Sequence, residues 1–379
     1  MTTGQDRAQG GQGTIAVLLP RREVFAAAGA GAVSICVRNI CSASVYRDRT
    51  VVLGEPVQTP FGELAYQPVS PARWLPGSRT SRYLAGAVRL LRRMNPAVVE
   101  VHNRPQYIKP LRRRLPGVAL LLYQHNDPRD TKGMASPAAR RRLIERVQAV
   151  VCVSEYIRSC MLDGLEDYPG RDKVHVSLNG IDTRRFAAPP DHERQRTVAF
   201  VGRVIPDKGA LLFAQAVRAA LPALPEWRAV LVGSHWFGTS SHMTDFERAV
   251  MGHIQALGTQ GEITGYLPHD QVMARLQQAQ IAVVPSLWDD PCPLTAIEAM
   301  ASGCALITTA RGGLPEVVDD AGWVLKAPTA DALAEAIRTL ATDADKRSAY
   351  QQAARSRAEQ VLDIRAVSAR LDRIREALL

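Results

Sequence analysis

The chain has 379 residues, 46% hydrophobic and 22% charged, with a net charge of +10. That balance excludes an intrinsically disordered chain, and the length suits two domains of roughly 150 residues each. No apolar run approaches the roughly 18 residues a helix needs to cross a bilayer, and the six cysteines form no CxxC pair. The thiols therefore read as reduced, a zinc site is not expected, and the protein reads as cytoplasmic. The start, "MTTGQDRAQGGQGT", lacks a signal-peptide core, so residues 1–13 are expected to be a short disordered leader.

In chain order, the first candidate strand is "TIAVLLP" (14–20), and the loop after it, "AAAGAGAVS", carries Gly29 and Gly31. Glycines there admit a phosphate or sugar against the backbone, although the same residues also make an ordinary turn, and GxGxxG is absent. Strands "TVVLG" (50–54), "AVVEV" (97–101), "VALLLY" (118–123), "AVVCV" (149–153) and "VHVSL" (174–178) follow, with helical spacing at 82–95 and 136–147. Unbroken Val, Ile and Leu runs suit strands buried on both faces of a parallel sheet. His102, with Asn103 and Arg104 beside it, and His125 each follow a strand, at the edge where α/β sheets take ligands. A lone histidine there is more often structural; two at neighbouring strand ends suggest a polar cleft.

The polar, proline-bearing stretch "DTRRFAAPPDHERQRT" (182–197) is the expected domain boundary, because the β-α pattern restarts after it. Strand "TVAFVG" (197–202) ends at Gly202 and leads through Arg203 and Lys208 into a helix at 209–222. Two cations and helix-end amides past the carboxyl end of a strand make a phosphate site; an ordinary basic loop is the alternative, and no P-loop is present. Beyond "RAVLVG" (228–233), "EIT" and a helix at 269–279, strand "IAVVP" (281–285) precedes "SLWDDPCPLTAIEAM". Asp290 falls in that loop and Glu298 in the second turn of a helix at 293–302. Carboxylates accept hydrogen bonds in pairs, which suits vicinal sugar hydroxyls; acid/base hydrolysis is the other reading. "CALITT" (304–309), a Gly312–Gly313 turn before a helix opened by Pro315 and Glu316, "GWVL" and a helix at 329–341 complete this half. The last segment has helical spacing at Ile364, Val367, Leu371, Ile374 and Leu378, with no packing partner legible in the pattern. Repeated β-α units imply doubly wound α/β domains.

Charge is unevenly spread. Residues 1–190 hold 28 Lys and Arg against 15 Asp and Glu, and the remainder 19 against 22. Clusters at Arg89, Arg92 and Arg93, at Arg112–Arg114, and at Arg140–Arg142 with Arg146 read either as solvated helix faces or as a surface for an anionic inner membrane or acceptor. No nucleic-acid partner is expected, since aromatics do not interleave with these clusters.

Taken together and in order, "VGRVIPDKG", "LNGIDTRRF" (178–186), the acid-x7-acid stretch with "EAMASG", and "GGLPEVV" resemble the retaining family 4 (group 1) glycosyltransferases over nearly the whole chain. The start "IAVLLPRREVFAAAGAGAVS" and "EVHNRPQY" are similar to the branch that builds bacterial lipopolysaccharide cores, capsules and exopolysaccharides. The resemblance implies the GT-B fold, two Rossmann-like doubly wound domains facing across a cleft. Residues 14–190 would form the acceptor-side domain, 195–360 the nucleotide-sugar domain, and 361–379 a helix returning to the first. Arg203 and Lys208 would bind the diphosphate, Glu298 the ribose, Asp290 the donor sugar and its oxocarbenium-like transition state, and His125 the sugar near its C6 hydroxyl. Gly29, Gly31, Gly202, Tyr266, Leu294 and Thr295 would complete the donor site, and His102, Asn103 and Arg104 would address the acceptor. Asp290 stands where the family usually has Glu, and Pro293 where many members have Gly, which removes a backbone donor. The implied reaction moves a hexose or N-acetylhexosamine, with retention, from a nucleotide sugar to a lipopolysaccharide-core, capsule or lipid-linked acceptor. UDP-N-acetylglucosamine is the first donor and GDP-mannose the second. No metal or cofactor is implied, because protein cations would neutralise the diphosphate.

Three rivals remain at this point. A nonhydrolysing sugar-nucleotide epimerase shares the architecture but needs no acceptor. A dehydrogenase lacks the expected glycine fingerprint here. A noncatalytic nucleotide-sugar or polyanion binder would bind without turnover.

Overall fold

The computed structural model describes residues 13–27, 29–72, 74–186, 189–190, 193–235 and 243–379. Apart from Gly13, the expected leader lies outside them. The chain divides into two compact units: residues up to Gly180 with Ile364–Leu379, and Ile181–Asp363. The division thus falls at 180/181, ahead of the proline-bearing stretch, and the returning segment begins at Ile364.

The first unit holds seven parallel strands: β1 (Ile15–Leu18), β2 (Thr50–Gly54), β3 (Ala65–Pro68), β4 (Val98–His102), β5 (Ala119–Gln124), β6 (Ala149–Cys152) and β7 (Val174–Val176). Their order is β3-β2-β1-β4-β5-β6-β7. β1, β2, β4 and β6 are buried throughout, as the unbroken apolar runs require. The strand not read from the sequence is β3, a half-exposed edge strand, "AYQP", with no apolar run and a terminal proline. The second unit pairs six parallel strands, β8 (Gln195–Val201), β9 (Arg228–Val232), β10 (Gly261–Gly265), β11 (Ala279–Val284), β12 (Ala305–Thr309) and β13 (Trp323–Leu325). Their order is β10-β9-β8-β11-β12-β13. Its core packs Phe200, Leu231, Ile281 and Ile307 of the sheet under Phe213 and Ile337 of flanking helices.

In the first unit the closing helix, Ile364–Glu376, packs on the helix Ala32–Ala43, where Ser368 Oγ donates to Ile40 O at 2.9 Å. Its apolar stripe is only half the story. Ile374 and Leu378 are half-buried, whereas Arg375 is fully buried. The basic clusters also divide. Arg140 is buried, with its guanidinium on the carbonyls of Met134 and Met161 at 3.0 and 3.1 Å, so it adds nothing to a charged surface. Arg112 is likewise engaged, by the Arg146 and Val118 carbonyls, both at 3.0 Å. Arg89, Arg92, Arg93, Arg113, Arg114, Arg141 and Arg142 stay exposed.

Candidate active site

In the second sheet the strand order reverses between β8 and β11, which opens a crevice at the carboxyl ends of these two strands. The loops that follow them are locked together by backbone. Gly209, at φ +69°, sits where an added Cβ would stand 1.9 Å from the Pro285 carbonyl oxygen, so only glycine lets the two loops meet. Leu287 N donates to Asp207 O at 2.9 Å, and Gly313 N to Asp290 O at 2.8 Å. The turn after β12 thereby joins the same cluster.

On this frame Lys208 Nζ forms an ion pair with Asp290 Oδ2. The ammonium lies 5.2 Å from the centre of the Trp288 ring, within cation–π range. Arg203 is exposed on the same loop, one residue past Gly202, whose amide donates to Val232 O at 3.0 Å. Asp290 is buried, and Lys208 is half-buried beside it. Pro293 is the N-cap of the helix Leu294–Ala301, and Leu294 and Thr295 form its first turn, half-buried. Glu298, buried in the next turn, lies 2.8 Å through Oε1 from His269 Nε2. His269 heads the helix His269–Gln278, three residues past the exposed Tyr266, and Phe186 meets its ring edge-on at 6.3 Å. The sequence resemblance implies a place in the donor site for Tyr266 but gives no role to His269 or Trp288.

In the first sheet the order reverses between β1 and β4. Gly29, at φ +84°, and Gly31 precede the helix Ala32–Ala43, with Gly31 as its N-cap. Ser34 N donates to Glu23 Oε1 at 3.1 Å, so a carboxylate of the chain itself takes an amide of that helix's first turn in this structure. At the end of β4, His102 is buried, as is His125 just past β5. His102 Nδ1 lies 3.0 Å from His125 Nε2, and Tyr123 stacks with both rings at 4.9 Å. Burial lowers both imidazole pKa values, that of His125 well below the ordinary range; for His102 the nearby Glu100 carboxylate opposes the shift. Asn103, at φ +50°, accepts through Oδ1 from the amides of His125 and Asn126 at 3.3 and 3.2 Å, and so joins the two strand ends. Arg104, half-buried, turns back to donate to Asn103 O at 2.8 Å. Of the three residues expected to face an acceptor, two are thus committed to their neighbours and His102 is buried. Among the described residues, no group of three His, Cys, Asp or Glu side chains could hold a metal ion, and no helix is long and apolar enough to cross a membrane.

Two family models match the chain: Glycosyltransferase Family 4 over residues 36–185 and Glycosyl transferases group 1 over 182–357. The chain belongs to the group 1, family 4 glycosyltransferases. Its two sheets are those of the GT-B fold. It is 23% identical over 269 residues to lipopolysaccharide 1,2-N-acetylglucosaminetransferase of Salmonella typhimurium, covering 68% of this chain and 67% of that one. It is 25% identical over 284 residues to spore coat protein SA of Bacillus subtilis, covering 69% and 73%. The crystal structure of Anabaena HepE in complex with UDP-glucose superposes with a TM-score of 0.73 at 16% identity, covering 96% of this chain and 99% of that one. The glycosyltransferase is thus a nucleotide-sugar-dependent transferase with relatives in lipopolysaccharide synthesis.

Proposed function

We propose that the glycosyltransferase moves a hexose or N-acetylhexosamine, with retention of configuration and without a metal, from a nucleoside-diphosphate sugar to a lipopolysaccharide-core, capsule or lipid-linked exopolysaccharide acceptor. UDP-N-acetylglucosamine is the first donor and GDP-mannose the second. The observation that carries this reading is the locked loop cluster after β8, β11 and β12, which gathers Arg203, Lys208 and Asp290 at the carboxyl edge of the sheet. In this reading Lys208 exchanges its ion pair with Asp290 for the diphosphate, alongside Arg203 and the amides of Leu294 and Thr295. The freed Asp290 turns to the hydroxyls of the transferred sugar. These groups hold charge on the leaving nucleoside diphosphate while it departs, where a preorganised site stabilises it most. Glu298 accepts from the ribose hydroxyls while His269 holds its Oε1, and Tyr266 lies by the base. Gly29 and Gly31 admit the phosphates against the backbone. His125 contacts the transferred sugar, and His102, Asn103 and Arg104 shape the acceptor side behind it.

The UDP-glucose complex of HepE favours a uridine donor, and the N-acetylglucosaminetransferase relative favours N-acetylglucosamine as the transferred sugar. The exposed arginines of the first unit favour reversible attachment of a cytoplasmic enzyme to an anionic membrane face. The test is a thermal-shift panel of UDP, GDP, UDP-N-acetylglucosamine and GDP-mannose, since a ligand at a hundred times its Kd stabilises the native state by about 2.7 kcal/mol. UDP-N-acetylglucosamine should raise the Tm most, and no shift with any nucleotide would remove the reading. Product anomeric configuration, read by proton NMR, tests retention. Co-sedimentation with anionic but not neutral vesicles, lost at high salt, tests the membrane contact.

A further inference from the structure

A chain of buried polar groups runs through the first unit from its last helix to the histidine pair. Arg375 donates through Nε to Glu100 Oε1 at 2.6 Å and through Nη2 to Oε2 at 2.9 Å, and all the atoms involved belong to fully buried side chains. The guanidinium is fixed from behind, with Nη1 at 3.0 Å from both Asp372 Oδ1 and Ser44 Oγ. Glu100 and His102 lie two residues apart on β4, hence on one face of the sheet. Glu100 Oε2 stands 3.7 Å from His102 Nε2, a buried ring nitrogen with no closer polar partner.

Burial alone would raise the Glu100 carboxyl, yet Arg375 and His102 outweigh it and hold its pKa at about 2. An ionised carboxylate only accepts. A bare His102 Nε2 beside it would set two lone pairs against each other in a buried site, so the proton belongs on Nε2. His102 Nδ1 is then an acceptor, and the 3.0 Å contact requires His125 Nε2 to donate to it. His125 Nδ1 is left as a lone-pair acceptor. Both rings are neutral, as their lowered pKa values require.

The geometry points to Glu100 and Arg375 as positioning residues that fix both imidazoles in the Nε2–H tautomer, so that His125 offers Nδ1 as an acceptor to a hydroxyl of the transferred sugar. The last clause rests on the role given to His125 above; the tautomer assignment does not. Arg375 acts by keeping Glu100 ionised and oriented. The closing helix therefore acts on the histidine pair through two intervening side chains and touches no substrate.

The test uses the full chain labelled with 15N-histidine, at pH 7.5 and without donor, with the two rings assigned through His102→Gln and His125→Gln. Two-bond 15N–1H correlations should show both rings as Nε2–H in the wild type. In Glu100→Gln the His102 ring should populate the Nδ1–H form, and turnover should fall at least tenfold with donor KM within twofold. Because Glu100→Gln leaves Arg375 buried opposite an amide, the double variant Glu100→Leu with Arg375→Leu, which replaces the ion pair by apolar side chains of similar volume, serves if the single variant does not fold. Wild-type tautomers in whichever variant folds would overturn the positioning. Shifted tautomers with undiminished turnover would keep the positioning and remove His125 from the sugar site.

Discussion

The first unit carries 30 Lys and Arg against 16 Asp and Glu, and the second 17 against 21. The contrast continues inside. The second unit builds its site from short motifs whose backbones approach so closely that glycine is obligatory, at Gly209 against Pro285 and at Gly312 against Asp290. The first unit builds its site from buried side chains drawn from the chain's far ends, with Arg375 reaching Glu100 across 275 residues. One is held by backbone geometry and the other by charge. The two should therefore fail differently under mutation.

The largest effect is expected from Arg375→Leu. It leaves Glu100 buried without its partner, a change that costs about 3–5 kcal/mol in comparable cases. Urea denaturation should show this loss, and the double variant with Glu100→Leu should recover most of it. A single variant as stable as wild type would mean that charge does not hold the first unit. Next comes Gly209→Ala, which forces a side chain at φ +69° into the Pro285 carbonyl. Left-handed strain and overpacking together should remove about 3 kcal/mol. Activity should fall further than stability, because the displaced loop carries Lys208. Lys208→Ala and Glu298→Ala sharpen the comparison. Each should cut transfer at least tenfold, about 1.4 kcal/mol of transition-state stabilisation. Glu298→Ala should leave the melting temperature nearly unchanged, whereas Lys208→Ala, which leaves Asp290 buried without its cation, should also lower it. Wild-type turnover in either would remove it from the site.

Acid offers a probe specific to the first unit. His102 and His125 have folded pKa values below the unfolded value of about 6.5, so between those values the unfolded chain binds more protons than the folded one. Stability is full above pH ~6.5 and declines as pH falls through the window below it, by at most about 1.4 kcal/mol per histidine per pH unit. Denaturation at pH 7.5 and 5.5 should show the loss in the wild type and a smaller one in His125→Gln. Glu100, at about 2, contributes its share down to far lower pH.

The same contrast explains what was legible in the sequence. Arg203, Lys208, Asp290 and Glu298 stand in short runs whose spacing already implies strand, loop and helix, so their grouping at one sheet edge could be read in advance. The parallel strands could be read for the same reason, except β3, whose edge position needs no apolar run. The Glu100–Arg375 pair could not, because nothing local marks an arginine on an amphipathic helix as the buried one. Arg140 misled in the opposite direction: it stands in a basic run yet caps carbonyls in the interior. The Lys208–Asp290 pairing was also missed. Each residue was assigned to a ligand, and the attraction between them needs the fold to bring them together.

The smallest expected effect lies where the second unit departs from its own rule and uses a side chain to hold a side chain. His269 Nε2 meets Glu298 Oε1 at 2.8 Å, and the other carboxylate oxygen is the one that would take the ribose hydroxyl in the function proposed above. His269 is half exposed, so water would replace it in part, and the contact is worth about 1 kcal/mol at most. His269→Ala should therefore raise donor KM about threefold to fivefold and leave kcat within twofold, because ribose is gripped alike in ground and transition states. His269→Gln, which keeps a donor, should restore much of the loss. An unchanged KM in the alanine variant would show that helix Leu294–Ala301 orients Glu298 unaided.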